Sequence, residues 1–207
     1  MTKIDHIARL RDIVPQRPLT HIEALLIAEQ QATRFLKLAA ITQPPVPEQI
    51  ITSLPRLQVA HLPLGVPGAS QWSRGHWTVL INKLNTSGRQ RFSLAHEFKH
   101  ILDNPFVHFL YPQKDGVDRR EWIEAVCDRF AVDLLMPRTW IKRAWAQQGI
   151  QRPTELARLF DVSLQAMRFR LEQMDLLAPT PRCSYAYDAN HHTEDAHDYL
   201  TDTSRAR

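Results

Sequence analysis

The sequence predicts an α+β fold, with a mostly helical core, a small mixed sheet and a helix-turn-helix-like subdomain towards the C-terminal end. Three observations carry this expectation. Apolar residues recur at helical spacing over residues 22–39. Between Leu57 and Ile81 the period changes to strand-like alternation with a β-branched run. Over residues 154–174 two short amphipathic stretches are separated by only a few residues. At 207 residues the chain fits one domain with an appendage. The expected division is a polar arm at 1–19, a core at 20–150, the helical subdomain at 151–177 and a disordered tail at 178–207.

The elements follow in order. Residues 1–19 are polar and contain two prolines. Thr20 and Glu23 form a capping box that opens a helix with the stripe Ile22, Leu25, Ala28, Ala32, Phe35, Leu36 and Ala39. Pro44, Pro45 and Pro47 interrupt, and Glu48–Leu54 reads as a short helix. Leu57, Val59 and His61 alternate, and Thr78–Ile81 reads as a second strand. Ser93 is an expected N-cap for a helix over Leu94–Leu102, stopped by Asp103-Asn104-Pro105. A polar loop around Pro112–Gly116 follows. Asp118 and Glu121 suggest another capping box, opening a helix to Met136 that ends at Pro137. Further helices are expected over Trp140–Gln148, Thr154–Phe160 and Ser163–Met174. From Ala178 onward prolines, polar residues and charges dominate. His191, His192 and His197 lie there without rigid spacing and read as polar residues, not ligands.

Composition excludes several classes. Cys127 and Cys183 are the two cysteines, too few for a disulfide scaffold or a four-cysteine zinc site. Six glycines occur, none in a phosphate-cradling pattern. No G-x-S-x-G nucleophile elbow is present. No signal-peptide core and no apolar run near the ~20 residues of a membrane span are visible, so the expected location is a reducing compartment, most simply the cytoplasm. The net charge of +4 is mild, and the acidic tail holds three Lys/Arg against five Asp/Glu. That balance permits an acidic partner without specifying one.

His96-Glu97-Phe98-Lys99-His100 is an H-E-x-x-H sequence on an expected helix. Residues four apart lie on one helix face, so both imidazoles can address one metal ion, with Glu97 within reach of its water. A catalytic site needs a third protein ligand and an open position. The next helix offers Glu124 and Asp128, again four apart. One can ligate while the other accepts a hydrogen bond from a ligating imidazole. Trp122, Val126, Phe130, Leu134 and Leu135 crowd that helix, so it is expected to be partly buried. An E-x-x-x-D helix after H-E-x-x-H resembles the thermolysin-like gluzincin peptidases.

Arg91-Phe92-Ser93-Leu94-Ala95-His96-Glu97-Phe98-Lys99-His100 and the later Glu124–Pro137 stretch resemble the ImmA/IrrE metallopeptidases, whose usual text is R-F-T-L-A-H-E-L-G-H and E-x-x-A-N-x-F-A-x-x-L-L-M-P. Leu156–Ser163 resembles the closing helical segment of that family. The resemblance spans about residues 21–178. It implies an intracellular metal-dependent endopeptidase that cleaves a helix-turn-helix repressor and derepresses stress-response or mobile-element genes. By position, His96, His100 and Glu124 would be ligands, Glu97 the general base and Asp128 the partner of an imidazole. Zinc suits the donors, with Mn2+ or Fe2+ as alternatives. Lys99 stands where the family has glycine, and Cys127-Asp128 where it has Ala-Asn. Cys127 reads as a packing residue. The oxyanion needs a donor, for which His108, Tyr111 and His76 are candidates. The segment Gly68–Trp77 is expected to line the substrate site as an edge strand. The repressor is expected on a separate chain.

The rival reading is a DNA-binding regulator. Residues 154–174 have helix-turn-helix length, and Gln165, Arg168, Arg170 and Gln173 could face a major groove. A helical hairpin docked on the peptidase accounts for the same residues, so direct nucleic-acid binding ranks second. A partner-sequestering pseudo-peptidase would have no need of Glu97. The five tryptophans read as core anchors or partner contacts.

Overall fold

The computed structural model describes residues 5–112 and 118–177. The tail at 178–207, with Cys183 and the three histidines assigned to it, and the centre of the Pro112–Gly116 loop lie outside the described residues.

Nine α-helices and three strands are described. The stretch expected to be a polar arm carries α1 (His6–Arg11), capped by Asp5, whose carboxylate accepts from the Ala8 amide. Leu10, Val14 and Leu19 are buried, so this segment is part of the packed body. Arg11 donates to the carbonyls of Ile101 and Leu102, tying α1 to the end of the histidine-bearing helix.

Helix α2 (His21–Leu38) starts at the expected capping box, with both reciprocal hydrogen bonds formed. Its buried face is Ala24, Ala28, Gln31, Ala32, Phe35 and Leu36. Ile22, expected on that stripe, is 72% exposed, because it falls on the solvent face of α2 with Leu26, four residues on and 51% exposed. A short α3 (Gln49–Thr52) leads into the sheet.

The sheet consists of β1 (Leu57–Leu62), β2 (Gly68–Ser73) and β3 (His76–Asn82), in the order β1-β3-β2. The pairing β1–β3 is parallel and β2–β3 antiparallel, so β2 is an edge strand. Arg74 and Gly75 both have positive φ, the backbone that a two-residue hairpin needs to match strand twist. Side chains alternate across the sheet. Val79 and Ile81 of β3 are buried, and the register puts Ser70 and Gly68 directly opposite them.

That face packs on α4 (Ser87–Asp103), which carries the H-E-x-x-H sequence. It begins seven residues before the helix expected over Leu94–Leu102, and Ser93, the expected N-cap, is an interior, buried position. Local sequence around Gly88 disfavours a helix; tertiary contact overrides it. A Cβ at Gly88 would stand 2.8 Å from the Ser163 nitrogen, so the backbones meet there. Arg91 adds a bond to the Val46 carbonyl and an ion pair with Asp161.

A 3-10 turn (Asn104–Phe106) and α5 (Val107–Leu110) follow. Helix α6 (Arg119–Leu135) is capped by Asp118, which accepts from the Arg120 and Glu121 amides. Then come α7 (Arg138–Ala146), α8 (Pro153–Phe160) and α9 (Leu164–Glu172), the last capped by Ser163. Helices α2, α4 and α6 share the core through Phe35, Phe98 and Phe130, whose rings lie against one another. No helix among the described residues is long and apolar enough to cross a membrane.

Helices α8 and α9 are docked on this body. Arg170, expected to face a DNA groove, is fully buried, donating to Asp133 and to the Met136 carbonyl. Asp133 also pairs with Arg129, which reaches Glu29 of α2. Gln165, Arg168 and Gln173 are exposed.

Candidate metal centre

Two helices build the site. His96 and His100, one turn apart on α4, bring their Nε2 atoms to 3.1 Å. From α6, Glu124 approaches both imidazoles, 3.2 Å from His96 Nε2 and 3.6 Å from His100 Nε2. Asp128, one turn along the same face, lies 2.8 Å from His96 Nδ1. An ionised carboxylate only accepts, so Nδ1–H donates to Asp128 and Nε2 is the nitrogen that faces His100 and Glu124.

The electrostatics follow from that arrangement. Burial works against charge on His96, yet the Asp128 hydrogen bond and the charges of Asp128, Glu124 and Glu97 prevail and raise its pKa. His100 moves the other way, lowered by burial and by the neighbouring His96, against the pull of nearby carboxylates. Two ring nitrogens in contact, facing an acidic group, form a donor set suited to a cation.

Glu97 projects towards the sheet. Its Oε2 accepts from the Ser70 hydroxyl at 2.7 Å, and a Cβ on Gly68 would stand 3.2 Å from Glu97 Cγ. Glu97 and His100 line one cleft with Ser70, Trp77, Asn104 and Val107. His108 lines an adjoining cleft with His100, Glu124 and Arg119.

The remaining candidates divide. Tyr111 is fully buried and gives its hydroxyl to Asp103, so it is not available as an oxyanion donor. Burial and the Asp103 charge push its phenol pKa upward. His76 alternates with Trp77 and falls on the sheet face turned from α4. His108 keeps access to the cleft. Lys99 turns inward, where its ammonium bonds Gln31 at 2.7 Å and Asp103 at 2.6 Å. A lysine replaces glycine there because this buried acid and amide receive it.

Cys127 was read as packing, and it is buried, with burial and the Asp103 charge holding its thiol well above the ordinary pKa. Its sulfur nevertheless lies within 4.8 Å of ligand nitrogens of both His96 and His100. The signal was its spacing, three residues after Glu124 on the same face of α6. Ser70 and Gly68 were foreseen only as part of a lining segment. Nothing in one sequence fixes which alternate residue of a strand faces a distant helix.

The model of the IrrE N-terminal-like domain, Peptidase_M78, matches residues 58–172. The chain is 35% identical over 106 residues to the radiation response metalloprotease IrrE of Deinococcus deserti, covering 47% of this chain and 37% of that protein. It is 29% identical over 142 residues to the protein of the same description from Deinococcus radiodurans, covering 59% and 42%. The match therefore spans less than half the length of either relative. A Mycobacterium tuberculosis transcriptional regulator shares the fold, with a TM-score of 0.57 and 15% identity over 86% of this chain and 53% of the other. With its H-E-x-x-H helix and carboxylate-bearing partner helix inside the matched span, this chain belongs to the IrrE N-terminal-like family of metalloproteases.

Proposed function

We propose that the chain is a metal-dependent endopeptidase in which His96, His100 and Glu124 hold a divalent cation and Glu97 is the general base. The convergence of two imidazoles and one carboxylate carries this reading: the two Nε2 atoms are 3.1 Å apart, Glu124 Oε2 lies 3.2 Å from His96 Nε2 and Glu124 Oε1 lies 3.6 Å from His100 Nε2. Donors ~2.0–2.1 Å from a tetrahedral ion stand about 3.4 Å apart, the range in which these separations fall. Zinc is the first candidate; manganese and iron accept the same donors. Such an ion supplies Lewis acidity towards water and the substrate carbonyl.

The chain's own groups do the rest. Asp128 keeps His96 Nδ1 protonated and its Nε2 available. Glu97, oriented by Ser70, removes a proton from the attacking water and delivers it to the leaving amine. His108 is the remaining candidate to donate to the developing oxyanion, from the cleft it shares with His100. Cys127 sits behind the donors as a neutral thiol.

The substrate proposed is a helix-turn-helix repressor on a separate chain in the cytoplasm, cut to derepress stress-response or mobile-element genes. Family membership and the radiation-response description of the two Deinococcus relatives support it. Direct DNA reading by residues 154–174 has less support, because burial of Arg170 removes one of its four expected contacts.

Metal analysis of the purified protein tests the ligand set. About one ion per chain is expected, lost in His100→Ala and Glu124→Ala. Full retention without Glu124 overturns the assignment. Cleavage of a repressor by wild type, absent in Glu97→Gln, tests the activity, and sequence-selective DNA binding that survives Glu97→Gln would favour the regulator instead.

A further inference from the structure

We infer that a recess walled by Trp72 and Trp77 receives an aromatic side chain of the bound peptide, about two residues from the bond that is cut, and that it disfavours lysine and arginine there. The inference rests on the peptidase reading and adds a substrate preference to it. Gly68, Ser70 and Trp72 alternate along β2 and so share one face. Register places them opposite Ile81, Val79 and Trp77. The first two touch Glu97, which fixes this face as the one over the reactive carboxylate. Trp72 is the next position on it, about 7 Å beyond Ser70, two residues at strand rise.

Trp77 belongs to both spaces. It lines the cleft with Ser70, Glu97 and His100, and also a neighbouring recess with Asp5, Ile7, Arg11, Pro55, Arg56 and Trp72. The two indoles are 5.5 Å apart between ring centres and inclined by 57°. A third ring can meet one edge-on and the other face-on, the arrangement aromatic groups prefer. Ile7 and Pro55 supply apolar walls. Arg11 is pinned by two carbonyls, and with Arg56 it outnumbers Asp5, so a cationic side chain meets net positive charge. Trp72 is 49% exposed although its strand face is the core face. Since β2 is the edge strand whose face meets Glu97, an extended peptide alongside it runs from Glu97 towards this recess.

The test uses three blocked pentapeptides of alanine with phenylalanine, lysine or alanine at the central position, titrated into the full-length Glu97→Gln protein. The indole N–H resonances of Trp72 and Trp77, assigned with Trp72→Phe and Trp77→Phe, report binding without cleavage. The phenylalanine peptide is expected to shift both indoles and bind about tenfold more tightly than the alanine peptide, with the lysine peptide weakest. Trp72→Ala, at an exposed site, should lose that preference while Trp72→Phe keeps it. The inference is overturned if no peptide moves either indole, or if Trp72→Ala retains the preference for phenylalanine. Cleavage by wild type is scored separately. Binding at the indoles with no cleavage would support the recess and count against the peptidase reading alone.

Discussion

Glu97 and Asp128 occupy different places in the same site, and their removal should separate binding from chemistry. Glu97 contacts Ser70 and the cleft, not the ligand set. Glu97→Gln should therefore keep its metal, measured by elemental analysis, while cleavage falls by about 10²-fold or more. Asp128 acts through His96, holding the tautomer that leaves Nε2 open. Asp128→Ala should weaken metal affinity by about 10–100-fold in a chelator competition. In the metal-free protein the two imidazoles should titrate in opposite directions by NMR, His96 above the ordinary histidine value and His100 below it. The proton that His96 binds more tightly competes with the cation, so metal affinity should fall as pH drops through that raised pKa. Of these roles the H-E-x-x-H spacing disclosed the pair of imidazoles and Glu97, because a helix repeat makes residues four apart neighbours. The fate of Tyr111 was hidden: its hydroxyl is claimed by Asp103, a partner defined by burial and not by sequence distance.

At the scale of elements, α4 and α6 bring the donors together and α8–α9 brace the start of α4. The brace has little tolerance at Gly88, where an added methyl meets the Val162–Ser163 backbone. Gly88→Ala should lower stability by about 1–3 kcal/mol in a denaturant melt, despite alanine being the better helix former. Arg170→Met removes one of two guanidinium partners of the buried Asp133. Because Arg129 remains, the expected loss is about 2–3 kcal/mol, below that of a fully orphaned buried charge. The early start of α4 was not legible for the same reason that Gly88 is sensitive. Glycine and Thr86-Ser87 are weak helix formers, and tertiary contacts at the start of α4, among them the α8–α9 turn against Gly88 and Arg91 on the Val46 carbonyl, hold the helix there. The capping box of α2 was legible because both of its hydrogen bonds are made within four residues.

For the whole molecule, the cation should act as a fastener between α4 and α6. A ligand bound only by the folded state stabilises by about 4 kcal/mol at a thousandfold excess over its dissociation constant. Chelation should therefore lower the melting temperature of wild type, and Glu124→Ala should show a smaller difference between metal-loaded and chelated samples. Equal melting with and without chelator would contradict a site that bridges the two helices. The buried Lys99–Asp103 pair with Gln31 joins α2 to α4 independently of the cation, so the fold itself should survive metal removal.

The sequence by itself determined the α+β class, the helical frame, the His-Glu-His set and the acidic pair expected to face it, because each depends on short periodic spacing that a helix converts directly into proximity. Tertiary structure alone decided that His6–Arg11 joins the core, that Arg170 faces Asp133 and not solvent, that Tyr111 and Lys99 are spent on a buried network, and that Ser70 orients Glu97. Most of those outcomes depend on which faces meet across 27 to 91 residues of chain, as in the Ser70–Glu97 and Arg11–Leu102 contacts. Apolar burial chooses such meetings, and a polar side chain's role is then set by whichever partner it is buried beside.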